Sequence, residues 1–195
     1  MKSVCVFCGS SFGKRPAYRE AASLLGQTLA EQALTLVWGG GRVGLMGTVA
    51  DAVLAAGGET VGVIPGFMVA KELAHPDSTE LIEVDSMHTR KALMAERSDG
   101  FVALPGGFGT LDEMFEILTW AQLHIHGKPV GLLNVAGYFD PLLAWIHHAE
   151  QEGFIKSGHL ALFHVADNPA ELLDKMRQHQ APEGDWATKV SLAQS

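Results

Sequence analysis

The sequence predicts a doubly wound α/β fold, a parallel sheet with helices on both faces, in a single domain. Two observations carry this. Short β-rich apolar runs alternate with longer amphipathic runs, and Gly or Pro marks the junctions. Most of the short runs are continuously hydrophobic rather than alternating, as strands are when helices cover both faces. Repeated along 195 residues, this alternation describes a Rossmann-like layer architecture with ligands expected beyond the carboxyl ends of the strands.

The elements follow in order. A strand at Ser3–Cys8 leads to a helix at Pro16–Ala33, and a strand at Leu34–Trp38 to a helix at Leu45–Ala56. Two further apolar runs, Thr60–Ile64 and Leu81–Val84, precede the helical pattern Ser86–Arg97. Strand Gly100–Leu104 precedes helix Leu111–Leu123, and strand Val130–Leu133 precedes helix Pro141–Glu152. A weaker strand near Phe163–Val165 is followed by helix Pro169–His179. Periodicity is lost after that, so residues 180–195 read as a loose tail behind a domain spanning 1–179.

Composition narrows the function. With 47% hydrophobic and 18% charged residues the chain can bury one substantial core, which excludes disorder. A formal charge of −8 repels polyanions and disfavours nucleic acid as a partner. A small phosphorylated ligand remains compatible if cations or helix N-termini supply a local positive field. No run approaches the ~20 apolar residues of a membrane span, and the apolar run ending at Gly9 is too short for a signal peptide. No membrane partner and a cytoplasmic location are expected. Cys5 and Cys8 have C-x-x-C spacing, but they fall in a predicted strand and read as small buried side chains rather than a redox pair.

The chemistry is expected at three glycine-rich turns that follow strands: Gly9-Ser10-Ser11, Gly39-Gly40-Gly41 and Pro105-Gly106-Gly107-Phe108-Gly109-Thr110. Glycine lets backbone N–H groups approach an anion, and a following helix adds partial positive charge. One such turn needs no function, since tight strand–helix connections require glycine anyway. Three at the same edge of one sheet point to a phosphate or nucleotide cleft. None matches G-x-x-x-x-G-K-[ST], and the first lacks G-x-G-x-x-G, which argues against a nucleoside triphosphatase P-loop and an ordinary NAD site.

The third turn runs into Thr110-Leu111-Asp112-Glu113, which fits a capping box with Thr110 as N-cap and Glu113 at N3. Beyond it, Leu111, Met114, Phe115, Leu118 and Ala121 share a stripe expected to face the sheet, leaving Asp112, Glu113, Glu116, Thr119 and Trp120 on the other side. A Trp on that side suggests that another surface covers it. Carboxylates on a covered face are costly without a purpose, which points to function for Glu113 and, less directly, Glu116. The preceding helix supplies cations, with Arg90 and Arg97 seven residues apart on nearly one face beside Met87 and Met94. Arginine beside a glycine turn can clamp a phosphate through two parallel hydrogen bonds. His88 reads as a structural or capping residue. The pairs His124/His126 and His147/His148 lack a third ligand, so no metal is expected.

These residues resemble a known family. Met87-His88-Thr89-Arg90-Lys91 together with Pro105-Gly106-Gly107-Phe108-Gly109-Thr110-Leu111-Asp112-Glu113 is similar to the two motifs of the Lonely Guy (LOG) proteins, including their P-G-G-x-G-T-x-x-E pattern. That family comprises cytokinin riboside 5′-monophosphate phosphoribohydrolases, often labelled lysine decarboxylases. The resemblance runs from the first strand to about Ala166. It implies that Arg90 and Glu113 are catalytic, and that Glu72, Lys91, Gly106, Gly107, Phe108, Gly109, Thr110, Leu111, Asp112 and Thr119 contact the nucleotide. Gly9, Ser10, Gly40, Arg97 and Glu116 are candidate further contacts from their positions in the sequence. The resemblance also implies a homodimer with the site near the interface and, as substrate, a small nucleoside monophosphate, with no cofactor. The rival expectations are a non-catalytic nucleotide or cofactor carrier on the same fold, and a pyridoxal-phosphate decarboxylase, for which Lys91 would be the lysine near the cleft.

Overall fold

The strands form where the apolar runs lie: β1 (Ser3–Phe7), β2 (Thr35–Trp38), β3 (Thr60–Pro65), β4 (Glu80–Val84), β5 (Gly100–Ala103), β6 (Val130–Leu133) and β7 (Phe163–Ala166). The helices are α1 (Pro16–Glu31), α2 (Gly44–Ala55), α3 (Gly66–Val69), α4 (Met87–Glu96), α5 (Phe108–Gln122), α6 (Asp140–Gln151) and α7 (Pro169–Arg177). This computed structural model describes residues 1–71 and 73–182. The strands make one parallel sheet in the order β4-β3-β2-β1-β5-β6-β7.

The predicted doubly wound architecture is thus the observed one. The period of two along a strand divides β1 between the two faces. Val4, Val6 and Cys8 join a core with Leu25 and Leu29 of α1, Val49 and Val53 of α2, and Leu172 and Met176 of α7. Cys5 and Phe7 join the opposite core, with Met94 of α4 and Ile117 of α5. The two cysteines therefore face away from each other, and both are free and buried. Burial first, and then the charge of Glu113, pushes both thiols above their ordinary range, the reverse of a reactive pair.

The chain winds outward from β1 to β4, then returns to lay β5 against the other side of β1. Connections leaving β1 and β5 diverge, and a crevice opens at their carboxyl ends. The two strand tips are tied across it, Gly9 N donating to Pro105 O at 3.1 Å.

Three short elements had no periodic signal in the sequence: α3 and the 3-10 turns Val135–Gly137 and Ser157–Leu162. The stretch after α3 folds back onto the second glycine turn, through an antiparallel bridge between Gly41 and Ala74 and a 2.8 Å bond from His75 N to Gly40 O. Buried His75 anchors it further, with Nε2 2.9 Å from Asp51 Oδ1. The expected tail lies mostly in 183–195, outside the described residues.

On the first face α1 and α2 meet at Gly26, where a Cβ would sit 2.6 Å from Val49 O and 2.6 Å from Ala52 Cβ. Alanine gains helix propensity of about 1 kcal/mol. Forcing backbone apart in a packed core costs about 1–3 kcal/mol, and more when the atom struck is a carbonyl that cannot swing away. Gly26→Ala is expected to lower stability on balance, read as a lower urea midpoint. An unchanged or higher midpoint would contradict this account of the helix crossing.

Candidate active site

Two helices and three glycine turns build the site. Ser86 caps α4, its Oγ accepting from Thr89 N at 3.1 Å, and this fixes the first turn that carries Arg90. Arg90 points inward and is only 6% exposed. Its Nε donates to Val63 O at 3.0 Å and its Nη2 to Gly39 O at 3.1 Å, while Nη1 lies 3.5 Å from Glu113 Oε1. A Cβ on Gly39 would stand 1.6 Å from Nη2, so the triple-glycine turn needs glycine there to admit the guanidinium.

Helix α5 brings Glu113 to the same place. The capping-box expectation is corrected: the helix begins at Phe108, with Gly107 as an N-cap that offers no side-chain hydrogen bond. Thr110 is instead a buried residue in the first turn, its Oγ1 packed against Gly106. The reason is that a Gly-Phe-Gly stretch can itself enter the helix, moving the start upstream of the first polar cap residue. Glu113 is thereby released from capping and turns into a cavity of about 250 Å³. Burial pushes its carboxyl up to about 7, against the pull of Arg90, with Asp112 and Glu116 adding to the rise.

Gly9, Ser10, Gly39, Gly107, Phe108, Gly109 and Thr110 line that cavity with Arg90 and Glu113, so all three glycine turns reach it. Met46, Met68 and Met94 complete the wall. Met46 and Met68 carry no signal in the sequence, and Met94 is placed there only beside Arg90 and Arg97 on one helix face. Gly39 was legible as part of the triple glycine, but the methionines come from three separate helices and no spacing connects them.

Other candidates lie elsewhere. Lys91 Nζ sits between Asp112 Oδ2 at 3.2 Å and Glu116 Oε1 at 3.1 Å, outside the cavity wall. Burial would lower this lysine, but the hydrogen bonds and charges of Glu116 and Asp112 outweigh it and hold it above its ordinary value. A Schiff-base lysine needs the opposite shift, which disfavours the decarboxylase reading. Gly106 lies behind the turn, in an adjoining cavity, and Leu111 packs into the core. Gly40 is the left-handed residue (φ 70°) that accepts from His75. Thr119 is exposed, and its hydroxyl donates to Phe115 O. Arg97 is corrected: it stands at the far end of α4, 3.8 Å from Glu80, because seven residues return to one face but advance about 10 Å along the axis. Trp120 is half-buried and packs on this chain's own core, so its place on α5 does not by itself require a second surface. His88 is exposed and leaves the cap to Ser86. Glu72 lies outside the described residues. Among the described residues no group of three His, Cys, Asp or Glu side chains could hold a metal ion, and no helix is long and apolar enough to cross a membrane.

Comparison with known proteins adds a family. Residues 46–176 match the model of a family described as "possible lysine decarboxylase". The chain is 53% identical to a probable cytokinin riboside 5′-monophosphate phosphoribohydrolase, LOGL9, of Oryza sativa subsp. japonica, over 91% of this chain and 78% of that protein. It is 51% identical to the cytokinin riboside 5′-monophosphate phosphoribohydrolase LOG5 of Arabidopsis thaliana, over 92% of this chain and 78% of that one. A solved molybdenum cofactor binding protein from Rippkaea orientalis superposes with a TM-score of 0.69 at 23% identity, covering 91% and 97% of the two chains. A molybdenum cofactor carrier protein from Chlamydomonas reinhardtii gives 0.67 at 23% identity, covering 90% and 95%. At these identities the two structures establish the fold.

Two outcomes follow from the geometry. Gly39→Ala is expected to displace Arg90 and remove most activity, whichever substrate is assayed, while the far-UV circular dichroism stays unchanged; wild-type turnover would contradict the packing argument. The raised carboxyl of Glu113 means that the folded chain still holds a proton that the unfolded chain has released between pH 4.5 and about 7. Stability therefore falls as pH rises through that window and levels off above it, by up to about 3 kcal/mol. Glu113→Gln removes the titration, so its stability relative to wild type, measured by urea unfolding, should grow between pH 5 and 8.

Proposed function

Because the chain belongs to the LOG family of cytokinin riboside 5′-monophosphate phosphoribohydrolases, we propose that it hydrolyses the N-glycosidic bond of a purine-type nucleoside 5′-monophosphate. The products are the free base and ribose 5-phosphate, from AMP or a cytokinin riboside 5′-monophosphate. One observation carries this reading: the Glu113 carboxyl faces a cavity beside a buried arginine and is not tied to its own backbone.

In the reaction a water oxygen bonds to the anomeric carbon as the carbon–nitrogen bond breaks, and the base departs with the bonding pair and gains a proton. Positive charge grows on the ribose ring and negative charge on the base. Glu113, as carboxylate, stabilises the ring and orients the water; Arg90 positions the nucleotide and steadies developing charge. The first N–H groups of α5 have no intrahelical partners, and the glycine cap leaves them for the 5′-phosphate. Holding that remote group supplies binding energy for orienting the reacting carbon, so a dephosphorylated nucleoside reacts far more slowly. Lys91, Asp112 and Glu116 support this arrangement as a neutralised cluster beside it.

The working unit in this reading is a homodimer with the site near its interface. Phe108 is 96% exposed on the phosphate turn and Met87 is exposed at the start of α4, an apolar rim that a second copy would cover. Thr119 and Glu72 are assigned to the nucleotide by family resemblance alone. The free thiols of Cys5 and Cys8 suit a cytoplasmic location.

Incubation with AMP and with an N6-substituted adenosine monophosphate should release base and ribose 5-phosphate, detected by chromatography. Glu113→Gln should abolish this, and wild-type kcat/KM should rise with pH through about 7, as the carboxyl ionises. Saturable AMP binding without base release would instead favour a carrier, the kind of protein that the two structural neighbours are.

A further inference from the structure

The glycine turn in front of α5 borders two cavities. Gly107 lines both, whereas Gly106 lines only the second, which is walled by Phe12, Tyr18 and Tyr138. From that side the Tyr138 hydroxyl donates to Gly106 O at 2.5 Å. Gly106 O and Gly107 N belong to one peptide unit, and in a planar trans peptide the C=O and N–H point in opposite directions. A carbonyl held toward the second cavity therefore turns the Gly107 N–H away from it, and Gly107 also lines the first cavity, where Arg90 and Glu113 lie. Among the described residues that N–H has no backbone acceptor.

The turn that delivers Tyr138 has a separate peculiarity. Ala136 and Gly137 are both left-handed, at φ 52° and 71°, and alanine rarely adopts that conformation. The turn is held in it from several sides. Asn134 Oδ1 accepts from Phe139 N at 2.7 Å and its Nδ2 donates to Asp140 Oδ1 at 2.7 Å. Arg15 Nη1 donates to Ala136 O at 3.2 Å. A strained segment so fully constrained indicates that the placement of its side chain matters. The Tyr138 ring is set edge-on to Tyr18 and Phe139, with centroids 5.6 Å and 5.1 Å away, which fixes the direction of the hydroxyl.

We propose that Tyr138 is a positioning residue: by anchoring the Gly106 carbonyl it sets the orientation of the Gly106–Gly107 peptide, so that the Gly107 N–H is presented to the 5′-phosphate of the nucleotide. This rests on the assignment of that turn to the phosphate. Tyr138 does not line the cavity of Arg90 and Glu113, and it acts through a peptide that would otherwise be free to rotate between two glycines.

Tyr138→Phe removes the hydroxyl and keeps the ring packing. Ribose 5-phosphate and adenosine are titrated into wild type and variant by calorimetry, and kcat, KM and melting temperature are measured alongside. Losing one peptide-orienting hydrogen bond should weaken ribose 5-phosphate binding and raise KM for AMP roughly three- to tenfold. Adenosine affinity and melting temperature should stay as in wild type. Unchanged ribose 5-phosphate affinity overturns the proposal, and so does a uniform loss that also takes adenosine affinity and melting temperature, which would make Tyr138 a packing residue. If wild type releases no base but the variant still loses ribose 5-phosphate affinity selectively, the hydrolase reading fails and the positioning role stands.

Discussion

The site depends on one buried guanidinium. Removing an arginine from water costs several kcal/mol unless its donors are satisfied. Arg90 meets that cost with two backbone carbonyls, Val63 O within β3 and Gly39 O just past the end of β2. Val63 O belongs to the paired strand β3, and the turn that carries Gly39 is tied down by the His75 N–Gly40 O bond, so the cation is held by the sheet and its second glycine turn together. The carboxylate is held more loosely. At 3.5 Å the Arg90–Glu113 contact is longer than the 2.7–2.9 Å usual for a charge-assisted bond. A tight pair would hold Glu113 below its ordinary value; here burial wins and the group titrates near 7. The arginine is thus committed to the scaffold, while the acid keeps capacity for a ligand.

Much of this was legible in the sequence because strand and helix signals are local. Every major strand and helix lies within a few residues of its predicted place, since continuous apolar runs and glycine punctuation report backbone periodicity directly. The three glycine turns could be assigned to one cavity because a parallel sheet puts all its carboxyl ends on one edge. Arg90 and Glu113 were recognisable from their motif and from the cost of burying charge.

What sequence could not supply is distance along a helix axis and the identity of non-local neighbours. Arg97 shares a face with Arg90 but stands at the opposite end of α4. A single apolar stripe on α5 predicts a second surface over Trp120, whereas the helix packs against core on both flanks of that stripe. Thr110 looked like a cap because Ser or Thr before an acidic residue commonly is one, yet the glycines ahead of it let the helix start earlier. The methionine wall and Tyr138 depend on chain crossings that no spacing encodes.

An acidic protein that grips a phosphate must also solve a problem of local field. The chain carries −8 overall, and Asp112, Glu113 and Glu116 all lie on the helix whose N-terminus lines the cavity. These acids lie beyond the first turn, yet their charges still oppose an anion at the positive end of the helix. Lys91 resolves this by bridging Asp112 and Glu116 at about 3 Å, cancelling much of their field. Glu113, raised toward 7 by burial, carries less than a full charge near neutral pH in the unliganded protein. The first N–H groups of α5 and the Arg90 cation are then the positive groups beside the cavity. A bound phosphate would favour the protonated acid still further, so the requirement for a carboxylate and the requirement for an anion grip pull against each other. The fixed cation reconciles them, because Arg90 is held by carbonyls whether or not Glu113 is ionised, and it remains able to stabilise the carboxylate when the ribose ring becomes positive.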